Sequence, residues 1–565
     1  MPSYNLVSEP WIPVKMLSGE SRKIGLKELV QNASSIAKLE PPVFRGEFCW
    51  IYEFCLIQFL AVIVMAAHFK PKNHFAARSY EVFDDLIETG GPDETVVLYL
   101  EEYFDRFDVF SERFPFLQNN QLASLLQPTV QDDGGKKKTR VNPDGFVSLL
   151  NPFAPGMNNK LFGRVRSIGT QGNVIRAFRF TPEEFAYILL YISSMGPSPM
   201  PTQYPNKALC APESIHITRA GKNLHETILL NCVSLRGNTK GEHFDRPVWE
   251  LDSVSDAAMY TEKMADNVLM NTYFPCFPIL AGRKLDEDGC LERVVIARTQ
   301  DFIPVGKREL DSLRELYVTQ NPWGIPEIDK TKTKKAKRDV YRYWNYSVAS
   351  RVWSMCTAAT GEVKYNAPSV VREGPQCQHL VLYSRTFTDK HKTAMSACGK
   401  TELRQDIRCL LEDGNHKLAS EYCLFAEFAV KKFKGAVYGV EAGNPDEQVN
   451  ELASAIEDHF ICRFVGSLRT AKAGGLDAVH PGCDAVPGGW DDVKMMEEMK
   501  KEITAIAVQV FRKKNEACSS DFISYFEHEA YLGNLLGKAA RIPHFQGVFT
   551  DSCADTDQAG EDGIA

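Results

Sequence analysis

The sequence lacks the signatures of the commonest function classes. None of its fifteen cysteines stands in a CxxC pair, and their number is odd. This excludes the closely spaced thiolate or imidazole pairs of a structural zinc site and argues against a disulfide framework. The opening stretch, MPSYNLVSEPWIPV, has neither the basic flank nor the apolar core of a signal peptide. The expectation is a cytoplasmic protein with reduced thiols. Only one segment, Phe48–Phe69, is long enough to suggest a membrane span. Glu53 and Gln58 interrupt it, and the apolar run after Gln58 lasts nine residues. A central carboxylate costs about 2.5 kcal/mol or more on insertion scales, so a buried core helix is expected and no membrane partner.

Catalytic motifs are missing too. Gly533 to Lys538 resembles a phosphate loop, but it has one residue too few between its glycines, and Ala539 stands where Ser or Thr would bind magnesium. His528-Glu529 lacks the second histidine of a zinc-protease helix, and no GxSxG elbow occurs. The expectation is no enzyme, no metal and no cofactor. Net positive charge is lacking as well: 65 Lys and Arg against 73 Asp and Glu give 65 − 73 = −8. Any contact with a polyanion must come from local basic patches on an acidic body.

The 565 residues suffice for three or four domain-sized units at about 100–200 residues each. A strand is expected within Tyr4–Val14, a short helix from Gly25 and a long helix over 47–69, followed by an amphipathic stretch at Ser79–Thr89. Residues 129–182 are rich in Gly and Pro and read as loop. Thr181-Pro182 offers an N-cap and a first-turn proline for a helix through Phe185–Ile192. A Pro-rich loop covers 193–212. Strand Ser214–Thr218 and helix Asn223–Val233 come next, and short strands alternate with basic runs over 245–385. Helices are expected at Leu403–Leu411, at Tyr422–Phe433 ended by Gly435, from Asn444 through Val449, Leu452, Ile456, Phe460 and Phe464, and through Met496, Met499, Ile503, Ile506 and Val510. The fold class is therefore α+β: a large mixed N-terminal domain over 1–385, a C-terminal four-helix bundle over 390–545, and a disordered acidic tail over 546–565.

Three basic regions carry the chemistry. Lys330, Lys332, Lys334, Lys335, Lys337 and Arg338 have no carboxylate among them and are followed by Tyr341, Tyr343, Trp344 and Tyr346. Lys136-Lys137-Lys138-Thr139-Arg140 is a second run. From Gly145 to Pro182 there is no acidic residue, while Lys160, Arg164, Arg166, Arg176 and Arg179 are present. Lysines bind a phosphate backbone by releasing its counterions, whereas glycine and Asn let a loop approach base edges and sugars. The alternative reading of each run is a solvated surface loop.

The order of segments resembles a known family. Asn5-Leu6-Val7, Glu9-Pro10-Trp11-Ile12-Pro13-Val14 and Gly25-Leu26-Lys27-Glu28-Leu29 are similar to the opening of the large subunit (CasA) of the type I-E CRISPR Cascade complex. The likeness continues at Phe114-Pro115-Phe116-Leu117-Gln118, Pro155–Gly163, Gly221–Asn231, Arg246–Glu250 and Phe425–Gly435. The resemblance implies a non-catalytic subunit of a crRNA-guided surveillance complex. Such a subunit checks the short motif flanking a double-stranded DNA target, helps open the duplex and recruits a helicase-nuclease. Base pairing with the guide reads the long sequence, and protein reads only a short duplex flank.

The implied partners are the other Cascade subunits, the 5′ end of the crRNA, target DNA and the helicase-nuclease. The implied contacts with guide and subunits are Asn158, Asn159, Lys160, Leu161 and Phe162. The stretch matching the family's glycine-rich loop contains Gly196 and Ser198, with prolines that offer no N–H to bases. A lysine finger corresponds to Lys307 or Arg308, paired backbone lysines to Lys334 and Lys335, and a strand-splitting wedge to Asn366, Ala367, Pro368 and Ser369. Two rival readings stand beside this one: a metal-dependent nuclease, and a scaffold without direct DNA readout.

Overall fold

The computed structural model describes residues 2–40, 50–69, 81–118, 120, 123, 164–170, 173–195, 214–233, 245–251, 268–273, 279–291, 294–296, 321–324, 326–328, 341–343, 370, 379–387, 395–403, 415–439, 445–467, 492–515 and 522–542. They fall in two compact units, Met1–Asn345 with Ala367–Asp406, and Tyr346–Asn366 with Ile407–Ala565.

The first unit opens on a small antiparallel sheet of β1 (Ile12–Met16), β2 (Ser21–Ile24) and β3 (Ile36–Leu39), in the order β2-β1-β3. The expected strand over Tyr4–Val14 begins only at Ile12, because Asn5 folds the preceding residues into a turn. Its side-chain oxygen accepts from Val7 N at 2.9 Å and its carbonyl from Glu9 N at 2.8 Å. Helix α1 (Leu26–Asn32) follows Gly25. A Cβ at Gly25 would lie 2.7 Å from the Val7 carbonyl oxygen, so the close approach of the two segments requires glycine.

Helix α2 (Trp50–His68) is the long apolar helix expected from the sequence. Residues 51–67 are all buried, as a helix apolar on every side must be. Helices α3 (Glu81–Thr89) and α4 (Glu94–Glu102) follow. The ring of Phe59 on α2 is surrounded by those of Phe107, Phe116, Trp249 and Tyr273, with centroids 5.5–6.3 Å away.

Residues 164–179, expected within a loop, instead form a hairpin of β4 (Arg164–Thr170) and β5 (Asn173–Arg179), paired along their full length. The β-branched and aromatic residues Val165, Ile168, Val174, Ile175 and Phe178 outweigh the glycines that suggest a loop. Helix α5 (Pro182–Met195) begins at the expected cap, and the cap is reciprocal: Glu184 N donates to Thr181 Oγ1 at 3.2 Å, and Thr181 N donates to Glu184 Oε2 at 3.0 Å.

Next come β6 (Ser214–Arg219), α6 (Leu224–Leu230), α7 (Val268–Thr272), the pair β7 (Ile279–Ala281) and β8 (Val294–Ile296), and the pair β9 (Pro326–Ile328) and β10 (Tyr341–Tyr343). β11 (Leu380–Phe387) and β12 (Met395–Leu403) join β6 in an antiparallel sheet ordered β12-β11-β6. Residues 395–403 thus belong to the first unit's sheet rather than to a helical region starting at 390. Leu403, expected to start a helix, ends a strand, and 404–411 lie outside the described residues.

The second unit is helical among its described residues. α8 (Asn415–Gly439) runs straight through Gly435, where a helix end was expected. α9 (Pro445–His459) continues into a π-helical turn, Phe460–Phe464. α10 (Asp492–Asn515) and α11 (Phe522–Ala540) complete the set, and α8 packs on all three others. The spaced apolar residues Val449, Leu452, Ile456, Phe460, Phe464, Met496, Met499 and Ile503 are buried. The expected acidic tail, 546–565, lies outside the described residues.

Candidate nucleic-acid interface

The residues that the family resemblance nominates for nucleic-acid contact lie outside the described residues: Asn158, Asn159, Lys160, Phe162, Gly196, Ser198, Lys307, Arg308, Lys334, Lys335, Asn366, Ala367, Pro368 and Ser369; Arg164, Arg166, Arg176 and Arg179 of the third basic region lie on β4 and β5. The described residues do fix where most of these segments are attached. Segment 155–163 leads into β4. Gly196 follows the last residue of α5. The run holding Lys334 and Lys335 joins β9 to β10, whose pairing sets Ile328 opposite Tyr341. The segment ending at Ser369 meets the fold at Val370, which is buried.

Two of these attachments share one root, Pro322–Gly324. Val370 N donates to the Pro322 carbonyl at 3.1 Å, and Ile217 N of β6 donates to the Trp323 carbonyl at 2.9 Å. His216 and Gly324 form an antiparallel bridge. Asn321 holds the turn, its Oδ1 accepting from Trp323 N and Gly324 N at 3.0 and 3.2 Å. The chain leaves this root two residues later as β9, toward the lysine run. Val370, which follows the 366–369 stretch, is tied to the same root, and β6 follows the 196–213 segment in the sequence.

Beneath that sheet lies a buried charge pair. The register sets His216, Tyr383 and Lys400 in one row across β6, β11 and β12, with Thr218, Val381 and Glu402 in the next row on the same face. Lys400 Nζ donates to both carboxylate oxygens of Glu53 on α2, at 2.9 and 3.1 Å, and contacts Glu402 at 3.3 Å. Burial pushes the Glu53 carboxyl above its ordinary range even though Lys400 pulls the other way. Phe54 packs its ring against His216 and Tyr383, with centroids 4.8 and 5.5 Å away. These contacts lock the sheet to the core helix and hold the root of the loops in place. Sequence reasoning flagged Glu53 as out of place in an apolar helix, but nothing local points to a partner 347 positions away.

A further feature missed in the sequence is the register of the β4–β5 hairpin, which sets Arg164 directly opposite Arg179. The motif Gly221–Asn231 proves to be a clasp. Asn223 caps α6 by accepting from Glu226 N at 2.9 Å, and Asn231 exchanges hydrogen bonds with Arg219 N and O at 2.9 and 2.7 Å. Gln118, the last residue of the Phe114–Gln118 stretch, bridges Val109 O and Ala281 N, both at 2.7 Å. Among the described residues, no group of three or more His, Cys, Asp or Glu is arranged to hold a metal.

This mixed α/β architecture has counterparts among solved structures. Cse1 of Thermobifida fusca matches with a TM-score of 0.57 at 18% identity, over 96% of this chain and 98% of that one. A chain of a CRISPR RNA-guided surveillance complex matches with a TM-score of 0.57 at 14% identity, over 95% and 100%. At such identities the likeness speaks for the fold. In sequence, the family described as CRISPR-associated protein Cse1 matches residues 5–276. The CRISPR-associated protein CasA/Cse1 of Thermus thermophilus is 27% identical over 252 residues. That alignment spans 44% of this chain and 42% of the relative, less than half of either. The chain is therefore similar to the CRISPR-associated Cse1 family over residues 5–276, just under half of its length.

Proposed function

We propose that this protein is the non-catalytic large subunit of a cytoplasmic, crRNA-guided DNA surveillance complex of the Cascade type. It sits with the other protein subunits beside the 5′ end of the crRNA, through Asn158, Asn159, Lys160 and Phe162. It reads the short motif flanking the target duplex, starts strand separation and recruits the helicase-nuclease. Gly196, Ser198 and one of Lys307 and Arg308 inspect the flank. Lys334 and Lys335 hold its phosphates, and Asn366 to Ser369 form the wedge. The described helices of the second unit act as a four-helix bundle that carries partner contacts. The mixed N-terminal domain, which extends through β12, and the helical domain that follows it divide these tasks, with the acidic tail over 546–565 outside them.

The observation that carries this reading is the shared root at Pro322–Gly324. One buried turn on the edge of β6 accepts a hydrogen bond from Val370, the residue after the 366–369 stretch, and stands two residues before β9, the strand that precedes the lysine run. Holding the phosphate backbone and splitting the adjacent base pairs are tasks that must be done side by side. Prying apart a base step costs a few kcal/mol, which a firmly anchored element can deliver and a loose one cannot.

The wedge is tested by Asn366→Gly with Ser369→Gly in the assembled complex. Loose association with duplex DNA should survive, while strand opening, followed by permanganate reactivity of unpaired thymines, should fall. Equal loss of both would remove the wedge role from these residues.

A further inference from the structure

The solvent side of α8 carries a second basic and aromatic feature, distant in sequence from every loop above. Lys431, Lys434, Gly435 and Tyr438 are all exposed and stand at i, i+3, i+4 and i+7, so they line one helix face. The opposite side is buried: Phe433, Ala436 and Val437 point into the unit, and Phe433 meets Phe511 with ring centroids 6.0 Å apart. Lys434 Nζ lies 5.7 Å from the centroid of the Tyr438 ring, which belongs to a residue 56% exposed. Between them Gly435 leaves a gap, since a Cβ there would meet nothing within 4 Å. A glycine in the middle of a 25-residue helix weakens it relative to alanine, and no packing here calls for one.

Two cations, an open notch and an exposed ring along about two turns of helix match the way unpaired nucleic acid is held. Ammonium groups neutralise the backbone, and the ring offers a stacking platform that accepts any base. Exposed Glu427 stands one turn before Lys431 on the same face, so the basic part of the stripe is confined to 431–438, where it complements a polyanion on a chain of net charge −8. We propose that Lys431, Lys434 and Tyr438 on α8 bind single-stranded DNA. The stripe has no amide or aliphatic hydroxyl to read a 2′-hydroxyl, which RNA recognition would use. The choice of DNA also rests on the proposed function, whereas the stripe itself does not.

The test uses the full-length chain carrying Lys334→Ala and Lys335→Ala, so that the first unit's lysine run does not contribute. Binding of a fluorescent oligothymidylate of about 16 nucleotides is followed by anisotropy over a salt series. Lys431→Gln with Lys434→Gln should flatten the log–log salt slope by about 1.4, at roughly 0.7 per phosphate contact on a single strand. Tyr438→Ala should weaken binding roughly tenfold while Tyr438→Phe retains it. Lys417→Gln, about 21 Å along the same helix, should change neither. The proposal is overturned by an unchanged slope in the double variant, by an equal effect of Lys417→Gln, or by tighter binding of oligouridylate than of the DNA. If the parent chain with its Lys334 and Lys335 intact discriminates flanks while these variants bind normally, the proposed function stands and this inference fails.

Discussion

Replacing Lys400 with Met should destabilise the first unit by about 3–5 kcal/mol, the cost of leaving a buried charge without its partner. Glu53 is the group left behind. It is mostly buried, and the Lys400 ammonium neutralises it at 2.9 and 3.1 Å. Removing both charges together, Glu53→Leu with Lys400→Met, should recover most of the loss, because a buried ion pair and an apolar pair of similar size are often of comparable stability. Glu402, more exposed than either partner, remains solvated in both variants.

The pH dependence has a definite sign. Burial raises the Glu53 carboxyl above its unfolded value, so the folded state binds its proton more tightly. Its contribution to stability is therefore greatest below the unfolded carboxylate range and is lost as pH rises through the raised value. The loss should steepen in Lys400→Met, which has no ammonium to oppose the burial. Urea unfolding at acidic and neutral pH measures this. A deficit in Lys400→Met that does not shrink on acidification would show that Glu53 is not the stranded charge.

Lys334→Ala with Lys335→Ala should weaken target binding by the assembled complex across all flank sequences alike. The log–log salt slope should flatten by about 1.8, at roughly 0.9 for each phosphate contact on duplex DNA. The uniformity matters as much as the size. A lysine on a phosphate positions the protein and carries no base information, so flank preference should remain while affinity falls. An unchanged slope would remove both residues from the interface.

Several elements of this architecture are legible in the sequence because their signals are local. Thr181-Pro182 with Glu184 announces the reciprocal cap of α5. The apolar run around Phe59 announces the core helix, and the three- and four-residue spacing of Val449 to Phe464 announces α9. Other elements are hidden by local signals that mislead. The glycines of 163–172 conceal the β4–β5 hairpin. Gly533 and Gly537 mimic a loop motif inside the helix Phe522–Ala540, although Leu532, Leu535, Leu536 and Ala539 bury its inner face. Tertiary packing outweighs the glycine penalty there. The Lys400–Glu53 pair and the Pro322–Gly324 root are not legible at all, since each depends on strands brought together from distant parts of the chain. Residue type and resemblance single out the candidate segments, and the fold adds the described elements that flank them.

We propose above all that this protein inspects a short duplex beside the guide-paired strand. The most direct test presents the assembled complex with targets identical in their guide-matched sequence and randomised only in the flanking base pairs, and ranks the bound flanks by sequencing. The account predicts strong enrichment of a small set of flanks, lost when this subunit is omitted. Equal recovery of all flanks, or the same enrichment without the subunit, would contradict it.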